Sequence, residues 1–348
     1  MTLKKKLSIA MLIVLTILIG MFLMACDDKS SQDNTQDEEN NEKPVDPGDN
    51  GDENNRPQKV AIEISSFDDL LSMADRFDSI KDNRFDSIKD NEYFLLTTDI
   101  DCDEQSWKAV GSLDNPFSCE FDGNGYTISN LVLATEDSRA SFWGVAKDSY
   151  IHDVTFSNIT TSAEDYSEEG LNVGLIAQGY NELQLENITL TSSLITINAN
   201  NLKNFGGIIA EDHSTGLRKN LTVKDSSFNI STMAGSNNIG LITGYSTNLV
   251  IEDCKIENIT GSVLYMGNEG LSFGLISGKL ETNEAELSQA SITNCTYNMI
   301  YAGILSLSMT TENINVGTNI GYVDENAVVE TENIFSTETQ ILFNGSAI

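Results

Sequence analysis

The chain has 348 residues, a formal net charge of −33 and 40% hydrophobic residues, enough apolar material for one large or two ordinary folded units. Three lysines before residue 25 and a net −8 over residues 27–58 leave −28 on residues 59–348, so the folded part is itself strongly acidic. A field of that sign repels nucleic acid, anionic lipid and polyuronates and favours cations or neutral partners, and it also keeps an exported protein soluble.

In chain order, Lys4, Lys5 and Lys6 precede an apolar run from Leu7 to Met24 that leads into Ala25-Cys26. A charged start, an apolar stretch and a small residue before a cysteine describe a signal peptide over residues 1–25. Leu23-Met24-Ala25-Cys26 resembles the bacterial lipoprotein box. That resemblance implies a diacylglyceryl group on the Cys26 sulfur, cleavage before it, and an exported chain tied by its lipid to the bacterial membrane, facing the cell exterior. The alternative is an uncleaved span, since about 18 apolar residues can just cross a bilayer. Residues 26–58 hold three of the four prolines among Asp, Glu, Asn and Gly, show no apolar periodicity, and read as a disordered acidic tether.

Residues 59–92 read as an N-terminal helical cap. Ser66-Phe-Asp-Asp69 opens a helix, with Ser66 as cap, Asp69 reaching back, and Leu70, Leu71 and Ala74 as its apolar stripe. The octapeptide Arg76 to Asn83 is then repeated as Arg84 to Asn91, a tandem duplication expected as an exposed insertion.

Residues 93–348 carry an internal repeat. Asn130, Asp153, Asn187, Asp225, Asp253, Asn294 and Asn333 each follow an apolar residue by two positions, except in the last copy, where Thr331 takes that place. A second block, Gly before aliphatics, alternates with it at Gly144, Gly174, Gly207, Gly240, Gly274 and Gly321. Self-similarity at this period predicts a solenoid, with a β-sandwich as the other arrangement. Asn and Asp suit bends because they tolerate left-handed backbone, and Gly suits a close approach or a positive φ. The residues after the Asn/Asp positions include Leu131, Val154, Ile188, Cys254 and Cys295 and read as inward-facing, so Cys254 and Cys295 are expected to stack as buried thiols.

The stretch from Tyr93 to Cys102, with Trp107, Val110-Gly111, Asn115-Pro-Phe117 and Phe121 to Leu131, resembles the start of bacterial surface proteins with GLUG motifs. The Gly-centred blocks resemble the GLUG motif itself. The resemblance implies an all-β, right-handed parallel β-helix of the pectin-lyase-like class, like the repeat region of immunoglobulin A protease-type proteins. The His-Glu-x-x-His peptidase motif does not occur among the two histidines, His152 and His213, and His152 is expected as a surface residue.

Cys102 and Cys119 are the candidate disulfide pair. Asp99, Asp101 and Asp103 have the alternate-carboxylate spacing of a calcium loop without its glycine, and stacked Asp225 and Asp253 are a second carboxylate pair. No cofactor is otherwise expected. Tyr166, Tyr180, Tyr245 and Tyr265, with loops near 160–170, 195–205, 262–272 and 300–318, are the candidate contacts for a glycan or protein ligand. The expected role is a non-catalytic binding or adhesion module. A carbohydrate-active enzyme on a β-helix and a passive envelope spacer are the alternatives.

Overall fold

A computed structural model describes residues 59–77, 91–165, 170–281, 289–307 and 314–347. The signal peptide, Cys26, the tether, most of the octapeptide duplication and Tyr166 lie outside the described residues. Residues 59–348 form one compact unit. Among the described residues no helix is long and apolar enough to cross a membrane.

The unit is a parallel β-helix with one short helix near its N-terminal end. Each coil lays strands into four rows. The first row begins with Val60–Ile64 and Glu92–Leu96 and runs through Glu120–Asp122, the starts of Tyr150–Ser157 and Gln184–Thr191, Arg218–Lys219, Leu249–Glu252, Gln289–Thr293 and Val328–Glu332. The second row runs from Ile100–Trp107 and Thr127–Leu133 to Thr296–Ser306 and Phe335–Phe343. The third joins Arg139–Ala140, Leu171–Val173, the end of Leu194–Gly206, Ser236–Gly240, Gly270–Gly274 and Ile314–Val316. The fourth is a six-stranded sheet from Trp143–Lys147 to Ile320–Val323. The first row holds nine strands: the three earliest turn without the Asn/Asp signature, and the other six lead to Asp153, Asn187, Asn220, Asp253, Asn294 and Asn333.

The register explains the repeat and corrects it. Asp153 lines up with Asn187, and Asn187 with Asn220, at the corner between the first and second rows. Asn130 lines up with Asn158, and Ser192 with Asp225 and Asn258, at a separate corner one short strand later. The single expected column is therefore two, built alike. All seven predicted positions have left-handed backbone, with φ from +48° for Asp225 to +58° for Asp253, as their residue types require. At both corners the side-chain amides bond from coil to coil: Asn187 Nδ2 donates to Asp153 Oδ1 at 2.7 Å, Asn220 to Asn187 at 2.7 Å, and Asn258 to Asp225 at 2.8 Å. Asp225 faces Asn258 rather than Asp253, so the expected Asp225–Asp253 carboxylate pair does not exist.

The Gly column also shifts. Val173 pairs with Phe205, and Phe273 with Val316, so Gly206 and Gly317 hold the place expected for Gly207 and Gly321. Close approach is what demands glycine here: a Cβ at Gly240 would lie 2.0 Å from the Thr243 carbonyl oxygen, where the chain folds sharply from third row to fourth.

Inward side chains stack in columns. Phe94, Phe121, Ile151, Leu185, Ile251 and Ile292 share one, each at most 1% exposed, and full burial of such a side chain contributes roughly 1.5–3 kcal/mol. Arg218 interrupts that column, wholly buried, with Nη2 donating to Asp212 Oδ2 at 2.5 Å.

At the N-terminal end the helix Phe67–Asp75 is α1. Ser66 Oγ accepts from Asp69 N at 3.2 Å and Asp69 Oδ2 accepts from Ser65 N at 2.9 Å, a reciprocal cap that holds the Asp69 carboxyl below its usual range. Its buried face is Leu70 and Met73; Leu71, expected inside, is exposed. The strand Val60–Ile64 makes the expected cap segment the first rung of the solenoid as well.

All four described cysteines are free. Cys102 lies in a second-row strand, whereas Cys119 sits just before Glu120–Asp122 in the first, so the candidate pair occupies different rows. Burial pushes Cys102 up to about 12 and Cys119 up to about 11. Cys254 and Cys295 stack on adjacent coils as expected, each fully buried; their mutual hydrogen bond and burial raise the Cys254 thiol well above its usual range.

Candidate ligand groove

The sharp Gly corner joins the third row to the fourth, and the surface where polar side chains of both rows meet is the candidate groove. Along it runs an amide ladder: Asn204 Nδ2 donates to Asn172 Oδ1 and Asn238 Nδ2 to Asn204 Oδ1, both at 2.9 Å, with all three residues buried. These positions precede Gly174, Gly206 and Gly240 by two residues. That spacing is the signal that could have revealed them.

The ladder ends on Glu211, a fourth-row residue only 7% exposed. Its carboxylate accepts from Asn172 Nδ2 at 3.0 Å, Gln178 Nε2 at 3.2 Å, Lys203 Nζ at 3.0 Å and His213 Nε2 at 3.0 Å. Burial alone would raise its pKa, but the bonds from His213, Lys203 and Asn172 outweigh burial and bring it down to about 2.

Around this carboxylate the outward fourth-row positions make a stripe. The Tyr180 ring stacks on His213 from the neighbouring coil with centroids 5.3 Å apart, and Tyr245 tilts against the same imidazole at 5.5 Å. Tyr245 Oη donates to Glu281 Oε2 at 2.9 Å; burial and this bond raise its pKa. Lys279 lies over both Tyr245 and Tyr322, 6.0 and 5.3 Å from their ring centroids. Aromatic faces, amide edges and one fixed carboxylate thus follow the solenoid axis, a surface suited to ring stacking combined with hydroxyl hydrogen bonds.

Of the expected contacts, Tyr180 and Tyr245 belong to this groove. Tyr265 does not: it is 1% exposed, and its hydroxyl accepts from Gly270 N at 2.8 Å. The expected loop at 195–205 is continuous strand, Leu194–Gly206, and 262–265 ends the strand Lys255–Tyr265. Asp99, Asp101 and Asp103 do not converge. Asp99 Oδ1 accepts from Thr127 N at 2.8 Å, while Asp101 Oδ1 accepts from Asp103 N at 3.0 Å and Asn130 Nδ2 at 2.8 Å, bonds that keep its carboxyl below the usual range. His152, expected at the surface, is 8% exposed.

No family model matches the chain, and no curated protein matches it. Among solved structures, a candidate immunoglobulin A1 protease from Bacteroides ovatus is similar over 82% of this chain and 78% of its own, with TM-score 0.55 and 18% identity. An IgA1 protease is similar over 80% of this chain, at 12% identity and TM-score 0.37, and this chain spans about a fifth of its length, 22%. The first likeness is one of fold: the parallel β-rich solenoid described above is an architecture that this chain and the Bacteroides ovatus protein have in common.

Proposed function

We propose that this is an exported bacterial protein, anchored to the membrane through Cys26, whose solenoid is a non-catalytic binding module for a neutral glycan. The observation that carries the reading is the stripe of Tyr180, His213 and Tyr245 beside the Asn172–Asn204–Asn238 ladder. Rings on neighbouring coils lie 5.3 and 5.5 Å apart between centroids, and sugar rings stack on aromatic faces. The acidic field disfavours anionic polymers. Glu211, brought down to about 2 by bonds from His213, Lys203 and Asn172, is not suited to be the proton-donating carboxyl of glycoside hydrolysis.

The test is native electrophoresis of the full chain in mild detergent through gels cast with neutral and anionic polysaccharides, stained afterwards for polymer. Retardation by a neutral polymer without clearing is the expected result, and the double variant Tyr180→Ala/Tyr245→Ala is expected to weaken it at least about tenfold. A cleared zone overturns the non-catalytic role; free migration through every polymer overturns the glycan.

A further inference from the structure

A second constellation sits in the first row. Asp122 of Glu120–Asp122 pairs in register with His152 of Tyr150–Ser157, so their side chains emerge side by side on the outer face. Consecutive strand residues normally point to opposite faces, which would send Asp153 inward. The left-handed bend at Asp153, φ +53°, brings it back beside its neighbour instead. The result is that His152 Nδ1 lies 2.8 Å from Asp153 Oδ2 and 3.7 Å from Asp122 Oδ1, and ligand atoms from all three lie within 4.8 Å of one another.

The His152 side chain is 10% exposed. It stacks on the Tyr150 ring at 4.1 Å, and its Nε2 has no hydrogen-bond partner among the described residues. Glu120 Oε1 stands 3.5 Å from that nitrogen. A neutral imidazole has a single N–H, yet carboxylates face both of its nitrogens. Placing the proton on Nε2, toward Glu120, leaves the Nδ1 lone pair directed at two carboxylates, an arrangement that a cation at their centre resolves.

Each of the three donors also has a further polar neighbour. Asn187 Nδ2 donates to Asp153 Oδ1 at 2.7 Å, leaving Oδ2 free to turn toward His152. Asn124 N donates to Asp122 Oδ1 at 2.7 Å. Glu120, which also meets Lys59, stands in the place of the carboxylate that fixes the far nitrogen of a metal-bound histidine. Glu120 and Tyr150 also line a neighbouring cavity of about 570 Å³. One imidazole nitrogen with two carboxylate oxygens is a donor set for a borderline divalent ion rather than for calcium, which takes oxygen alone.

We propose that Asp122, His152 and Asp153 form a binding site for a divalent cation of the zinc class, with Glu120 as the positioning residue for His152. The site is separate from the groove and does not depend on its role.

The experiment is isothermal titration of EDTA-stripped full chain, in detergent at pH 7.5, with ZnCl2 and in parallel with CaCl2. One zinc per chain is expected, with calcium much weaker. His152→Ala and Asp122→Asn each abolish that stoichiometric step, Glu120→Gln weakens it about 10- to 100-fold, and His213→Ala leaves it unchanged. Asp122→Asn is the variant to weigh if His152→Ala does not fold, because Asp122 is only half-buried. Overturning results are a zinc isotherm unchanged by Asp122→Asn, which would make binding a diffuse property of the acidic surface, or no stoichiometric zinc binding at all.

Discussion

Two amide ladders run along this solenoid, and they differ in what surrounds them. The outer one, Asp153–Asn187–Asn220, sits at half-exposed bends. Its equivalents at the other corner include Ser192, Met299 and Glu338, so that type of position needs a left-handed backbone more than it needs an amide. The inner one, Asn172–Asn204–Asn238, lies buried and ends on an ionised carboxylate. There Asn204 both donates to Asn172 and accepts from Asn238. The same chemistry is a bend device in one place and an obligatory network in the other.

Asn204→Leu should separate the two most sharply. It strands Asn172 Oδ1 and Asn238 Nδ2 in a buried site, and each stranded group costs about 1–3 kcal/mol. Urea denaturation is expected to show a loss of about 3 kcal/mol, against about 1 kcal/mol for Asn187→Gly, which keeps the bend. Equal losses would erase the distinction.

The carboxylate end of the inner ladder has its own signature. The folded-state pKa of Glu211 is depressed, so its stabilisation is full above its ordinary value of 4.5 and is lost as pH falls through about 2. The stability of wild type relative to Glu211→Gln is therefore expected to fall by up to about 3 kcal/mol across that acid window and to stay constant above it. A difference that is flat from pH 5 to pH 2, read by thermal melts, would mean the carboxylate is not held as described.

The smallest effect is a gain. Met299 takes a left-handed bend, φ +52°, without a side chain suited to it, between Asn258 and Glu338 on the neighbouring coils. Met299→Asn is expected to relieve strain of about 1 kcal/mol and raise Tm by about 2 °C.

The fold was legible because bends leave a residue-type mark: Asn and Asp stand where the backbone must turn left-handed, and Gly stands where two backbones nearly touch. The mark names the bend but not the corner, which is why Asn130 and Asp225 fell into one column with Asp153. Strand pairing, not residue type, tells the corners apart. The inner ladder stayed hidden because Asn two residues before Gly reads as a polar turn when it is in fact a buried rung. Groove tyrosines were visible as aromatics, but Tyr265 looked the same in sequence and faces the interior. His152 read as a surface residue by strand alternation; only the register with Glu120 and Asp122 shows it enclosed.

The Gly corner between the third and fourth rows also governs where the chain can change over time. Backbone contact there holds each coil to one path, while the connection from fourth row to first is two residues long after Ser246 and eight after Leu280, with no break in strand pairing on either side. The connection from second row to third varies likewise, with none within Leu194–Gly206 and four residues after Tyr265. Insertions and deletions can therefore accumulate at both edges without altering the axial rise. Lineages carrying this solenoid are expected to diverge in length at these two edges first, and to keep the Gly corner at constant size.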